Sequence, residues 1–195
     1  GTRRVRLALG AAPLEGAMLL AATDLTELDR SEGLLADLGD TLPGLAGGEF
    51  LERVLLHLAR TTGADMAFVG EFVGDPEALV VDTVRACRDG ALVENFRYPL
   101  ADTPCETVHD GGCCLYERDV ARHFPADPEL VEAGWEGYAG MPLRDAAGGY
   151  RGILVLLFRA PVEDPAFTLR ALQAYAVRVS TEMERTRYLD RLAAS

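Results

Sequence analysis

Four cysteines and three histidines hold most of the reactive chemistry in this chain of 195 residues. Three of the cysteines and one histidine crowd into the run Cys105-x3-His109-x3-Cys113-Cys114. Residues four apart share a helix face, so Cys105 and His109 could reach one ion, with Cys113 or Cys114 as a third ligand. Against that reading, Gly111-Gly112 interrupts the helix and paired C-x2-C knuckles are absent. Cysteine is also a common core residue, so no metal site is expected. A thiol reaction needs an accessible thiolate and a resolving partner, which Cys87, Cys105 and Cys113 could supply. His109 and His123 are possible axial ligands for haem, although a lone histidine more often makes an ordinary hydrogen bond. The glycines of Gly137-x2-Gly140 and Gly148-Gly149 do not open a helix after a strand, so they read as turn and packing residues rather than phosphate loops. No Ser-His-Asp grouping or isolated carboxylate pair stands out.

The composition bounds what partners are feasible. Hydrophobic residues make up 49% of the chain, enough for one sizeable core. Thirty-one acids against 19 Lys and Arg give a net charge of −12. Such a balance argues against nucleic acid and against an anionic membrane surface. No apolar run is long enough to span a bilayer, and the basic start Arg3-Arg4-Val5-Arg6 is not followed by the apolar stretch of a signal peptide. Adjacent Cys113 and Cys114 are a poor disulfide pair, so a reducing cytoplasm is the expected compartment. The sequence reads as a piece of a longer protein.

These residues must be positioned by the elements around them. Alternation over residues 3–9 predicts a strand, residues 10–16 a turn, and residues 17–22 a second strand. A helix is expected from residue 27 to about 38, capped by Thr26, with Leu28, Leu35 and Leu38 near one stripe. A second helix is expected over residues 49–62, closed by Gly63. Strands are expected over 65–73, 78–87 and 91–98. A short helix should cover 105–109, with Asp102 or Thr103 as its cap and Pro104 in its first turn. Then come a strand at 113–116, a helical turn at 119–124 and a helix opened by Asp127-Pro128. Strands at 137–142 and 150–158 follow, and a last helix runs from Asp164-Pro165 almost to Leu192. Antiparallel hairpins dominate, so the fold class is α+β, with a central antiparallel sheet.

Residues 98–108 read Tyr-Pro-Leu-Ala-Asp-Thr-Pro-Cys-Glu-Thr-Val, and Phe-Pro-Ala-Asp-Pro-Glu-Leu follows at 124–130. Gly-Tyr-Ala-Gly-Met-Pro-Leu-Arg starts at residue 137 and the apolar strand ends near Leu156. This succession resembles a GAF domain, the small-molecule-sensing module of bacterial signalling proteins. The resemblance covers residues 49–187. The tetrapeptide Asp24-Leu25-Thr26-Glu27 resembles the signature that closes a PAS domain. It implies a truncated PAS-like hairpin at 1–26 and a linker helix and loop at 27–48. Residues 188–195 would begin an output helix. The resemblance also implies helices packed on one face of the sheet and an irregular helical lid, residues 100–136, on the other. In the GAF family a ligand lies between sheet and lid, which points to Tyr98, Cys105, His109, Tyr138 and Met141 as ligand-binding residues and to Trp135 as a lid wedge.

The resemblance implies a non-catalytic sensor of an unidentified small molecule. Leu172, Ala176, Val179 and Met183 follow heptad spacing, which suits a homodimer through flanking helices. The effector, a sensor kinase or a cyclic-dinucleotide enzyme, would lie outside the chain. Two alternatives stand beside this reading. One is a thiol-dependent reductase of the same fold, although the residues around the cysteines do not match that branch. The other is a ligand-free dimerisation spacer. The motif for bilin attachment is absent.

Overall fold

The computed structural model describes residues 7–14, 17–24 and 44–193. Two compact units divide at Pro43–Gly44. In the first, strands β1 (Leu7–Leu14) and β2 (Ala17–Asp24) pair antiparallel, with Leu7 opposite Asp24 and Leu14 opposite Ala17. The expected turn over residues 10–16 is therefore too long. Gly10 and Pro13 lie within β1, paired with Ala21 and Met18. A proline is tolerated in a strand that leaves one side unpaired, and this sheet has only two strands. The helix expected over residues 27–38 lies outside the described residues.

The second unit opens with helix α1 (Gly47–Thr62), which buries Phe50, Leu51, Val54, Leu55, Leu58 and Ala59 along one stripe. Gly63 ends it in the left-handed conformation, φ 75°, where its N–H caps the carbonyl of Ala59. Seven strands follow: β3 (Met66–Val73), β4 (Val80–Arg88), β5 (Ala91–Val93), β6 (Arg97–Pro99), β7 (Cys114–Tyr116), β8 (Gly137–Arg144) and β9 (Tyr150–Phe158). They form one antiparallel sheet in the order β5-β4-β3-β9-β8-β7, with β6 also pairing β4. The α+β class is the one observed. Strand β9 sits between β3 and β8, and the whole run Ile153–Leu157 is buried. An unbroken apolar run is what a strand covered on both faces requires.

The single strand expected over 91–98 is two strands. Between β5 and β6 side chains share the ladder: beside one backbone bond, Thr83 N to Phe96 O at 3.0 Å, Thr83 Oγ1 donates to the same carbonyl at 2.7 Å and Asn95 Nδ2 donates to that of Val84 at 3.0 Å. The β3–β4 register shifts at Val69/Gly70, close to the level where β5 gives way to β6. A bulge bends its strand and leaves a residue out of step, and here the facing chain divides.

One face of the sheet carries α1 and the long helix α5 (Pro165–Ala193). The other carries α2 (Pro104–Gly111), α3 (Val120–His123) and α4 (Pro128–Ala133). Leu100, Cys105, Val108, Val120, Leu130 and Trp135 of this segment join one core with Phe68, Ile153 and Val155 of the sheet. Backbone bonds pin it at several points: Leu100 N to Leu79 O at 2.9 Å, Val120 N to Glu136 O at 3.0 Å and Glu136 N to Phe158 O at 2.9 Å. The segment is thus a packed cover.

The start of α2 differs from the expected cap. Thr103 occupies the cap position, but its hydroxyl donates back to Leu100 O at 2.7 Å, so it does not serve the helix. Asp102 turns the chain with φ 62°, and its N–H is taken by Glu106 Oε2 at 3.0 Å.

The stripe Leu172, Ala176, Val179 and Met183 is buried within the chain, where α5 lies on α1 and β8. Polar bonds fix the same stretch of helix. Glu182 Oε1 accepts from Gly47 N at 2.5 Å, Ser180 Oγ from Arg144 N at 3.2 Å, and Glu184 Oε1 from Ala146 N at 2.7 Å. Arg187 pairs with Glu71 of β3 at 2.8 Å. Beyond this stretch Tyr188, Leu189 and Leu192 are exposed.

Candidate functional site

Between the sheet and its cover lies a cavity of about 240 Å³. Its floor comes from alternate residues of two neighbouring strands, Met66 and Phe68 of β3 and Val155 and Leu157 of β9. Strand period places such residues on one face. The walls are Tyr98 of β6, Tyr138 of β8 and the segment Thr103-Pro104-Cys105 at the start of α2, with Phe96 and Trp135 beside them. The start of α4, with Asp127 and Glu129, closes one side. Phe68, Phe96 and Tyr98 pack as an aromatic cluster: Phe68 meets the other two edge-on at 5.3 and 6.1 Å, and Phe96 stacks on Tyr98 at 5.9 Å.

At the inner wall two phenols converge on one thiol. Tyr138 donates its hydroxyl to Cys105 Sγ at 3.3 Å, and the Tyr98 hydroxyl shares a hydrogen bond with the same sulfur at 3.0 Å. Cys105 is 3% exposed. Burial pushes its thiol up to about 11, against the smaller opposing pull of hydrogen bonds from Tyr138, Tyr98 and Thr103. Burial likewise pushes both phenols well above their ordinary range, with the neighbouring Cys105 adding to the shift. The three groups are therefore neutral at physiological pH: a polar patch that donates and accepts hydrogen bonds without carrying charge. Gly140, two residues along β8, leaves the room they occupy. A Cβ there would run into the Tyr138 hydroxyl and the Val108 side chain.

Of the residues singled out in the sequence, the structure brings Tyr98, Cys105 and Tyr138 together. His109 sits elsewhere, edge-on to Phe72 at 5.1 Å and near Tyr150 at 6.0 Å. Met141 faces the α5 side of the sheet, beside Gln173 and Ala176. His123 is exposed and its Nδ1 lies 2.9 Å from Asp119 O. Trp135 is buried at the cavity, flanked by Arg88 and Arg159 at 5.6 and 5.3 Å from its ring. Among the described residues no group of three or more His, Cys, Asp or Glu side chains is arranged to hold a metal ion. The four cysteines are free thiols. Burial raises Cys87, and pushes Cys114 up to about 12. Cys113 is exposed.

Several lining residues escape a motif-based reading: Phe68, Phe96, Leu157, Arg88, Asp127 and Glu129. For Phe68 and Leu157 the signal is strand parity. Asp127 carries the signal of a helix cap, and its Oδ1 does accept from Glu129 N and Leu130 N at 3.1 and 3.2 Å.

No protein-family model matches the chain, and no curated protein matches it. Solved structures do. The chain is similar to the chromophore-binding domain of an unusual bacteriophytochrome from R. palustris, at 11% identity and a TM-score of 0.66, over 94% of this chain and 71% of that one. It is similar to the chromophore-binding domain of Stigmatella aurantiaca phytochrome P1, at 16% identity and a TM-score of 0.58, over 90% and 68%. It is also similar to the A. Aeolicus nlh2 GAF domain, at 11% identity and a TM-score of 0.62, over 82% of this chain and 99% of that one. At these identities the likeness establishes architecture, and the architecture is the GAF fold. Among the described residues no helix is long and apolar enough to cross a membrane.

Proposed function

We propose that this chain is a sensory module whose GAF-type cavity binds a small molecule and passes occupancy to the helices on the opposite face of the sheet. The observation that carries this is the cavity itself, floored by β3 and β9, with a neutral polar patch at one wall. Ligand sites are typically apolar concavities with a few placed polar groups. The volume lies somewhat below the roughly 300–1,000 Å³ usual for drug-sized ligands, so a compact metabolite suits it.

The relay is short. Tyr138 faces the cavity, while the adjacent residues of β8 pack under α5. Any ligand that displaces β8 acts on α5 through one strand thickness. A bound molecule shifts the balance between two helix arrangements only as far as its affinities for them differ. In this reading the exposed Tyr188, Leu189 and Leu192 belong to the part of α5 that leads towards a partner copy and an effector. The β1–β2 hairpin, followed by Asp24-Leu25-Thr26-Glu27, is read as the end of a PAS-like domain. The chemistry at Cys105 favours binding over catalysis, because a thiol held near 11 is a poor nucleophile at neutral pH.

A thermal-shift panel of compact metabolites, with an absorbance scan for chromophores, tests the reading. A ligand at about 100 times its Kd should stabilise by about 2.7 kcal/mol. Val155→Phe, which fills the floor, should abolish that shift while leaving the fold. A panel without a shifting member, or a shift untouched by Val155→Phe, would overturn the proposal.

A further inference from the structure

Charges of both signs line the same cavity, Arg88 against Asp127 and Glu129, and none of the three forms a close ion pair with a described residue. Arg88, exposed at the end of β4, lies over Trp135 at the cavity's edge, and its Nη2 donates to Met66 Sδ at 3.5 Å. Among the described residues no carboxylate lies within ion-pair range of this guanidinium. Asp89 beside it is gripped by Arg159 at 2.5 and 3.2 Å and feels Arg88 only as the weakest of the charges that lower it, and Arg97, the other guanidinium at the cavity, is paired with Asp82. Asp127 and Glu129 line the same cavity and likewise form no ion pair among the described residues, and Glu129 also borders, with Arg88, Glu94 and Glu132, the open groove beside it. Asp127 spends Oδ1 on the α4 backbone, and its second oxygen carries no hydrogen bond among the described residues. Its field reaches inward, where it helps hold Tyr98 and Cys105 in their neutral forms.

We infer that the cavity takes a free α-amino acid with an apolar side chain, its carboxylate on Arg88, its ammonium at Asp127 and Glu129, and its side chain over Phe68, Val155 and Leu157. This rests on the receptor reading above. An arginine fork matches a carboxylate in two parallel bonds. A cation beside Asp127 offsets the burial that raises that carboxyl. A simple acid would face two repelling carboxylates, and a simple amine would leave Arg88 unmatched. Only a zwitterion meets both, and the volume of about 240 Å³ suits a single amino acid better than a peptide.

The test uses Trp135, the one tryptophan of the chain, as a fluorescent reporter in titrations with L-leucine, L-phenylalanine, 3-phenylpropanoate, phenethylamine and phenol. An amino acid should bind at least tenfold tighter than either singly charged analogue. Arg88→Gln should weaken the amino acid at least tenfold and so erase its advantage over phenethylamine, which has no carboxylate to lose. Asp127→Asn, which retains a capping oxygen, should erase its advantage over 3-phenylpropanoate. Glu129→Gln provides the same comparison if Asp127→Asn does not fold. Phenol binding with amino acids no tighter than phenol would overturn the amino-acid assignment and leave the receptor cup standing. Silence from all five probes and from the metabolite panel would remove both.

Discussion

The two faces of one sheet are built to different rules. Towards α1 and α5, the strands present Ala67, Val69, Leu154 and Leu156 to Leu55, Leu58, Leu172 and Val179, all fully buried. That face is aliphatic and close-packed. Towards the lid, the same strands present Met66, Phe68, Val155 and Leu157, and what meets them is aromatic, hydroxylic or charged, with a cavity left between. Close packing transmits displacement because it leaves no slack. A cavity forfeits contact energy but accepts an occupant. The comparison assigns the stability of the fold mainly to the helix face and its responsiveness to the lid face, with β3, β8 and β9 shared by both.

The largest effect that could break this division is a truncation on the helix face. Leu154→Ala should cost about 2–5 kcal/mol in urea unfolding, as buried Leu→Ala changes do. Ligand affinity, extrapolated to zero denaturant, should be unchanged. A Leu154→Ala variant that lost affinity but not stability would show that the faces are not separable in this way.

A second effect comes from the lid face and from pH. The Cys105 thiol titrates at an ordinary value once unfolded, 9.0, and near 11 when folded. The folded state therefore holds its proton longer than the unfolded state does. Stability is unaffected by this group below about pH 9 and falls as pH rises from there towards 11, by up to about 3 kcal/mol. Tyr98 and Tyr138, both shifted upward, push in the same direction at higher pH. Denaturation midpoints measured between pH 7 and 11 should show this alkaline loss, and a flat profile would contradict the buried triad.

The sequence makes the order of elements legible because its turns are chemically marked, as at Gly74-Asp75-Pro76 and Arg88-Asp89-Gly90, and because Pro104, Pro128 and Pro165 each open a helix. The cover over residues 100–136 was legible only through the resemblance, because the spacing of short helices does not say which face of a sheet they lie on. Part of the site was written in parity. Tyr138 and Met141 are three apart on one strand, and a period of two sends them to opposite faces. Parity does not say which face is the cavity when both faces are apolar, as along Ile153–Leu157 of β9. The charged rim was hidden for another reason. Arg88 and Asp127 are 39 positions apart in number, and only the packing of α4 beside β4 makes them neighbours of one space. The heptad pattern of α5 reads equally as a partner's seam or as an internal stripe, and in this structure that stripe is covered by the chain itself.

The smallest change sharpens the comparison most. Tyr138→Phe keeps the ring and its packing and removes one hydroxyl–sulfur bond of 3.3 Å. A bond of that kind is worth about 1 kcal/mol, well below the cost set for Leu154→Ala. Cys105 would keep Tyr98 and Thr103 and lose the strongest of the three hydrogen bonds that pull its thiol down, so its titration should move further up. The alkaline loss would then extend to higher pH, which a midpoint profile resolves even where the change at pH 7 is slight. A ligand that uses the Tyr138 hydroxyl should weaken about fivefold to tenfold. The two substitutions would thus invert one another. Leu154→Ala weakens the fold and spares the ligand, whereas Tyr138→Phe nearly spares the fold and weakens the ligand. Measuring both in one background separates a sheet with two jobs from a sheet with one core, because a single undivided core would make affinity follow stability in both variants.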